Sequence, residues 1–122
     1  MSDAEPTVFA RIIAGEIPAT FLAETDRVVA FPDINPQAPV HILVVPKTSA
    51  YRDVVELAEG DPQLLAEMVS VAKRLAAEHS DGDFRLVFNR GARAGQTVFH
   101  VHAHLLAGGR DGALAEGTLA GP

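Results

Sequence analysis

Three of the protein's five histidines occupy alternate positions of one five-residue run, at His100, His102 and His104. In an extended strand successive side chains point to opposite faces, so these three imidazoles would share one face, with consecutive Cα atoms roughly 6.5–7 Å apart. Clustered titratable groups are more typical of a reactive site than of histidines buried singly for packing. The histidine run, residues 100–104, therefore predicts a functional site.

Two kinds of chemistry could use such a face. In the first, alternate histidines bind a metal ion, with His41 as a candidate further ligand. In the second, one imidazole is a nucleophile and its neighbours tune its tautomer and protonate the leaving group. A neutral imidazole is abundant near pH 7, and neighbouring imidazoles resist simultaneous protonation.

The segment before the run favours an anionic substrate. It contains glycines whose backbone can approach an anion closely, and it adds neutral and charged hydrogen-bond donors. These residues are Asn89, Arg90, Gly91, Arg93, Gly95, Gln96 and Thr97. We call Asn89–Gln96 the glycine loop. A phosphate would use such donors, whereas a metal site would not need them.

Two helices and five strands are predicted to position these groups. Asp61 and Pro62 predict the start of one long amphipathic helix that ends near His79, and Thr7 to Gly15 predicts a short helix. The predicted strands are Thr20–Glu24, Val28–Phe31, Val40–Val45, Phe84–Phe88 and Phe99–Leu106. Short strands around one long helix indicate an α+β domain with a mostly antiparallel sheet.

Composition limits the classes of protein that fit. The 122 residues correspond to one domain, predicted over residues 7–109, between a flexible arm at 1–6 and a tail at 110–122. The absence of cysteine excludes disulfides and cysteine-bound zinc, and it fits a cytoplasmic location. A net charge of −6 disfavours nucleic acid and lipid surfaces as partners. The sequence has no apolar run of the roughly 20 residues needed to span a bilayer.

The histidine run with its apolar neighbours, His100-Val101-His102-Ala103-His104-Leu105-Leu106, resembles the motif of the histidine triad (HIT) family. The resemblance extends to the Hint branch of that family (histidine triad nucleotide-binding proteins). It is carried by Phe9–Ala19, Ala30–Pro39, His41–Lys47 and Asn89–Gly109. It implies a HIT-like fold, which has a mostly antiparallel five-stranded sheet, one long helix and a short N-terminal helix. It also implies a homodimer.

The resemblance implies a role for each histidine. His102 matches the nucleophile that attacks the α-phosphorus and forms a nucleotidyl-histidine intermediate. His104 matches the residue that binds phosphate oxygens, and the carbonyl of His100 matches the group that orients the nucleophile. His41 matches a remote proton relay, and Thr97 matches a residue that assists departure of the leaving group. No metal or other cofactor is implied.

The implied substrates are nucleoside 5′-phosphoramidates or acyl-nucleotides, with a purine nucleotide such as AMP or GMP as product. The remaining implied contacts are to the base, the ribose and the phosphate. They are Val8, Phe9, Ile12, Ile17 and Phe31 for the base, Asp33 and Ile34 for the ribose, and Asn89, Gly95, Gln96 and Thr97 for the phosphate and leaving group. Two alternatives remain, a dinucleoside polyphosphate hydrolase and a nucleotide-binding scaffold with little turnover.

The chain departs from the Hint pattern at three places. Pro32 stands where histidine commonly precedes the ribose-binding aspartate, which changes the rim of the nucleoside pocket. The glycine loop carries Arg90 and Arg93, and either one could favour more anionic leaving groups. The tail lacks the tryptophan that often shapes specificity in that branch.

Overall fold

The computed structural model describes residues 6–109 and 112–114. Its elements in chain order are α1 (Val8–Ile13), β1 (Ala23–Glu24), β2 (Val28–Pro32), β3 (Val40–Pro46), α2 (Val54–Gly60), α3 (Pro62–His79), β4 (Arg85–Val87), a 3₁₀ turn (Ala92–Ala94) and β5 (Ala103–Ala107). The predicted arm and tail lie almost entirely outside the described residues.

The five strands form one sheet in the order β1-β2-β3-β5-β4, and every neighbouring pair is antiparallel. The predicted α+β class and five-stranded antiparallel sheet are therefore confirmed. The central pair, β3 and β5, places His41 opposite Leu106 and Leu43 opposite His104. Because side chains alternate along each strand, this register brings His41 and His104 to the same face of the sheet.

The two faces of the sheet have different partners. One face packs Val44, Ala103 and Leu105 against α3 in the main hydrophobic core. The other face carries a smaller cluster in which Phe9 of α1 packs near Phe31 of β2. The histidines belong to this second face, beneath the short helix α1.

Helix α3 begins and ends as the sequence predicts. Asp61 caps it by accepting a hydrogen bond from the Leu64 amide, and Pro62 occupies the first turn, where no amide partner is required. Its apolar stripe is buried against the sheet, whereas Val69 on the same helix remains 42% exposed. Among the described residues no helix is both long and apolar enough to cross a membrane.

Helix α2 was not predicted. Asp53 caps it by accepting from the Glu56 amide, and Leu57 is its buried residue. One buried side chain in seven residues gives no repeating apolar pattern, so periodicity cannot detect this helix.

The prediction for the last strand was wrong at its start, because β5 begins at Ala103 rather than at Phe99. The backbone before Ala103 bonds elsewhere: the Val101 amide donates to the Tyr51 carbonyl, and the His100 carbonyl accepts from the His102 ring. The Val101 amide is therefore not available to a strand ladder. The predicted strands Thr20–Glu24 and Phe84–Phe88 are also shorter than expected, at Ala23–Glu24 and Arg85–Val87.

The contact between α3 and the sheet gives a test of the fold. Leu75 is fully buried, so Leu75→Ala should lower the free energy of unfolding by about 2–5 kcal/mol. Val69→Ala removes apolar atoms from the same helix at an exposed position and should change it by less than about 0.5 kcal/mol. Urea unfolding of both variants provides the measurement. Equal losses would show that α3 is not packed as described.

Candidate active site

Four histidines are buried together on the face of the sheet beneath α1. His41, His100, His102 and His104 are each 4% exposed or less. His41 lies on β3 and His104 on β5, whereas His100 and His102 lie in the extended segment just before β5. Buried imidazoles need hydrogen-bond partners, and these partners determine which ring nitrogen carries the proton.

The ring of His100 connects the sheet to α1. Its Nε2 lies 2.7 Å from the Pro46 carbonyl oxygen, which can only accept, so Nε2 carries the proton. Its Nδ1 lies 3.4 Å from the Thr7 hydroxyl, and that hydroxyl also caps α1 by accepting from the Ala10 amide. The His100 ring therefore helps to fix the helix that lies above the site.

The ring of His102 is oriented by the backbone beside it. Its Nδ1 lies 2.8 Å from the His100 carbonyl oxygen. Because a carbonyl can only accept, the proton is on Nδ1 and the lone pair is on Nε2. The ring stands edge-to-face with Phe9 at 4.8 Å between centroids, and it lies 5.2 Å from the His104 ring.

His104 and His41 form a hydrogen-bonded pair, with 2.9 Å between His104 Nδ1 and His41 Nε2. The Asp33 carboxylate lies beside them, at 3.4 Å from His41 Nε2 and 4.0 Å from His104 Nδ1. On the other side of its ring, His104 Nε2 is buried and has no hydrogen-bond partner among the described residues. His104 Nε2 is therefore a buried ring nitrogen whose hydrogen bond the described residues do not supply.

Burial favours the neutral form of three of these rings. Burial, together with the neighbouring His102 and His41, lowers the pKa of His104 to about 4, and Asp33 partly opposes the shift. Burial also lowers the pKa of His41, against the attraction of Asp33, and that of His100, against its bond to Pro46. A neutral His104 at pH 7 can donate one hydrogen bond without adding a charge.

An apolar cavity of about 550 Å³ is lined by Phe9, whose ring contacts that of His102. Eight residues that the resemblance implies for nucleotide contacts line it: Val8, Phe9, Ile12, Ile17, Phe31, Asp33, Ile34 and Thr97. The side chain of Ile34 is wholly exposed at the rim, next to Pro32. A cavity of this size is within the usual range of roughly 300–1,000 Å³ for small-molecule sites.

The glycine loop is held by the side chain of Gln96, which is only 2% exposed. Its Nε2 donates to the Arg52 carbonyl at 2.7 Å and to the Val98 carbonyl at 3.0 Å, and its Oε1 accepts from the Gly91 amide at 2.8 Å. The Gln96 side chain therefore shapes the loop rather than pointing to a ligand. Gly95 has a φ of 98°, in the left-handed region that favours glycine.

The two loop arginines differ in their surroundings. Arg90 Nε lies 3.5 Å from the Asp53 carboxylate at the start of α2. Arg93 is exposed within the 3₁₀ turn that precedes Gly95. Asn89 lies near Gly95, and neither of these two residues lines the apolar cavity.

A metal ion fits the histidine pair less well than a shared proton. Asp33, His41 and His104 each offer a ligand atom within 4.8 Å of the others. Two nitrogens bound to tetrahedral zinc at 2.0–2.1 Å would be roughly 3.3 Å apart. The 2.9 Å between His41 Nε2 and His104 Nδ1 is shorter and is typical of a hydrogen bond.

Sequence reasoning missed three groups in this site: Thr7 as a partner of His100, the Pro46 carbonyl and the Gln37 amide. The Gln37 amide lies 2.9 Å from His41 Nδ1. Backbone groups have no residue-type signature, so only the fold reveals these contacts. The helix-capping pattern at Thr7 was visible in the sequence, but it gave no sign of the contact with His100.

Because the buried histidines are neutral, stability should depend on pH. The unfolded chain takes up the His104 proton near pH 6.5, whereas the folded protein resists it until about pH 4, so stability falls as pH falls through this interval. From about pH 7 to about pH 5 we expect the loss from His104 alone to be roughly 2 kcal/mol.

Urea unfolding at these two pH values tests this expectation. His104→Gln should flatten the pH dependence, because it removes the group whose folded-state pKa is lowered. Carboxylates with lowered pKa, such as Asp53, contribute their losses at lower pH. An identical slope in the wild type and His104→Gln would contradict the assigned protonation.

Comparison with known proteins agrees with this geometry. The HIT domain family matches residues 14–111. An uncharacterised HIT-like protein of Synechocystis sp. is 48% identical over 109 residues, which cover 86% of this chain and 92% of that protein. The 14 kDa zinc-binding protein of Zea mays is 42% identical over 108 residues, covering 87% and 84% of the two chains. The solved structure of a HIT family hydrolase from Clostridium thermocellum is 44% identical with a TM-score of 0.80, over 88% of this chain and 94% of that one. The chain belongs to the HIT family.

Proposed function

We propose that this protein is a nucleotide hydrolase that cleaves nucleoside 5′-phosphoramidates or acyl-nucleotides through a covalent intermediate on His102. The observation that carries the proposal is the 2.8 Å contact between His102 Nδ1 and the His100 carbonyl. This contact places the ring proton on Nδ1 and leaves a lone pair on Nε2, which supports Nε2 as the proposed nucleophile. The hydrolase name of the Clostridium thermocellum relative supports the reaction class.

In the first step His102 Nε2 attacks the α-phosphorus, and the bond from phosphorus to the leaving group breaks with its electron pair. An amine leaving group takes up a proton from solvent water, and Thr97, which is exposed at the cavity, is the residue proposed to assist it by hydrogen bonding. In the second step water attacks the same phosphorus, and the P–N bond to His102 breaks with its electron pair returning to Nε2. A proton of the attacking water passes to solvent, and the nucleoside monophosphate is released. His104 stabilises the phosphoryl oxygens in both steps, and His41 supports His104.

The cavity supports a nucleotide as the substrate. Phe9 and Phe31 offer aromatic faces to a purine, while Asp33 and Ile34 stand at the rim, where a ribose would lie. The Asp33 carboxylate also lies 3.4 Å from His41, so it can influence the histidine pair while it accepts from ribose hydroxyls. The proposed phosphate loop still includes Asn89, Gly95 and Gln96. The side chain of Gln96 contributes by holding the loop in its conformation.

Three further statements are part of the proposal. The protein forms a homodimer, supported by the position of β4 at the edge of the sheet and by the half-exposed Phe99. It acts in the cytoplasm, without nucleic acid or membrane partners. The maize relative's name describes zinc binding, but the close contact between His41 and His104 is the reason why no step here uses a metal.

Substitution of the nucleophile tests the mechanism. His102→Asn keeps an amide N–H that can donate to the His100 carbonyl but removes the nucleophilic nitrogen. We expect it to lower kcat/KM for adenosine 5′-phosphoramidate by at least 10³-fold, a loss larger than that from removing one oxyanion donor. AMP release, followed by chromatography, is the measurement.

The matched control is His79→Asn, at an exposed histidine on α3, which should retain wild-type turnover. Wild type denatured at alkaline pH, where the P–N bond to histidine is stable, should carry label from an α-³²P substrate on His102, and His102→Asn should carry none. Full activity in His102→Asn, or label on another residue, would exclude the proposed nucleophile. Binding of AMP without any turnover by the wild type would favour the scaffold alternative.

The exposed Arg93 provides a test of the leaving group. Because Arg90 is occupied by Asp53, Arg93 is the arginine that can approach an anionic leaving group. We expect Arg93→Ala to lower kcat/KM for diadenosine tetraphosphate several-fold more than for adenosine 5′-phosphoramidate. Arg90→Ala should affect both substrates equally. Equal effects of Arg93→Ala would refute this role, and faster wild-type turnover of the tetraphosphate would favour the dinucleoside polyphosphate alternative.

A further inference from the structure

We propose that the backbone amide of Gln37, acting through His41, fixes the tautomer of His104, so that His104 always presents an N–H donor to the substrate. This inference rests on the proposed function for the identity of the substrate but not for the tautomers themselves. It makes His41 a positioning residue that sets a proton, rather than a residue that must shuttle one in each turnover.

The first step is the contact between Gln37 and His41. The Gln37 amide lies 2.9 Å from His41 Nδ1, and a backbone amide can only donate. His41 Nδ1 must therefore be the acceptor and carry no proton. Because burial lowers the pKa of this ring, His41 is neutral at pH 7, and its one proton is on Nε2.

The second step passes this constraint to His104. His41 Nε2–H donates to His104 Nδ1 across 2.9 Å, so His104 Nδ1 carries no proton. The neutral His104 ring then holds its proton on Nε2. The Asp33 carboxylate, 3.4 Å from His41 Nε2, can only accept, and it therefore favours the same placement of the His41 proton.

The third step concerns the role of the proton on His104 Nε2. His104 Nε2 is buried and has no acceptor among the described residues. A buried donor without an acceptor is unfavourable, so a substrate oxygen that accepts from Nε2 would remove this cost. An anionic phosphoryl oxygen satisfies an N–H donor, whereas the opposite tautomer would direct a lone pair at that oxygen. His102 has the complementary arrangement, with its lone pair on Nε2.

The loop that carries Gln37 is itself held in place. The Asn35 amide donates to the Asp33 carboxylate at 2.8 Å, and the Gln37 side chain donates to the Asn35 carbonyl at 3.0 Å. The Asp33 amide donates to the His41 carbonyl at 3.0 Å, which closes the loop onto β3. The Gln37 amide therefore faces His41 before any substrate arrives.

Nitrogen NMR of the histidine rings provides the test. In wild-type protein labelled with ¹⁵N-histidine, two-bond ¹H–¹⁵N spectra should show His41 and His104 both protonated on Nε2. The same spectra should show His100 protonated on Nε2 and His102 protonated on Nδ1. Gln37→Pro removes the amide N–H, while Gln37→Ala keeps it and serves as the matched control. We expect Gln37→Ala to retain the wild-type tautomers.

In Gln37→Pro we expect a mixture of tautomers at His104. We also expect kcat for adenosine 5′-phosphoramidate to fall roughly tenfold relative to Gln37→Ala, less than the 10²–10³-fold lost when an oxyanion donor is removed. KM should change less than kcat, because the base cavity is untouched.

Wild-type His104 protonated on Nδ1 would overturn the proposal, even if Gln37→Pro does not fold. Unchanged tautomers and kcat in a folded Gln37→Pro would also overturn it. Wild type with the expected tautomers but no turnover would leave this inference standing and refute the proposed function.

Discussion

The site depends on a hydrogen bond between a histidine ring and the carbonyl two residues before it. The His100 carbonyl lies just before β5, which begins at Ala103, and it accepts from the His102 ring. Because a carbonyl can only accept, this bond determines which nitrogen of His102 holds the proton. The backbone next to the strand thus sets Nδ1 as the donor and leaves the lone pair on Nε2.

The other histidines follow the same rule with different partners. The Pro46 carbonyl sets the His100 ring, which in turn contacts the cap of α1. That helix places Phe9 against His102 and over the apolar cavity. Because a neutral imidazole has one N–H and one lone pair, each neutral ring can donate from one nitrogen and accept at the other. Backbone groups of the scaffold thereby impose direction on side chains that could otherwise adopt either tautomer.

The elements that can be predicted from the sequence are those with strong periodic or capping signals. Helix α3 is predicted closely, because Asp61, Pro62 and a long apolar stripe all agree. The alternation of the histidine run correctly separates its polar and core sides, with Val101 and Ala103 in the main core. The start of β5, helix α2 and the use of the Gln96 side chain depend on contacts between distant segments, which no local pattern encodes. The functional roles of the individual site residues remain predictions.

The buried side chain of Gln96 also affects how a ligand would bind at the glycine loop. The buried Gln96 amide makes three hydrogen bonds, one within the loop to Gly91, one to Val98 just after it and one to Arg52 before α2, so the loop conformation is defined by the protein itself. A loop that is ordered before binding loses little conformational entropy when an anion arrives. Ligand association should then be governed by diffusion and orientation, without a slow closing motion. Selectivity in such a site comes from rejecting molecules of the wrong shape at the first encounter.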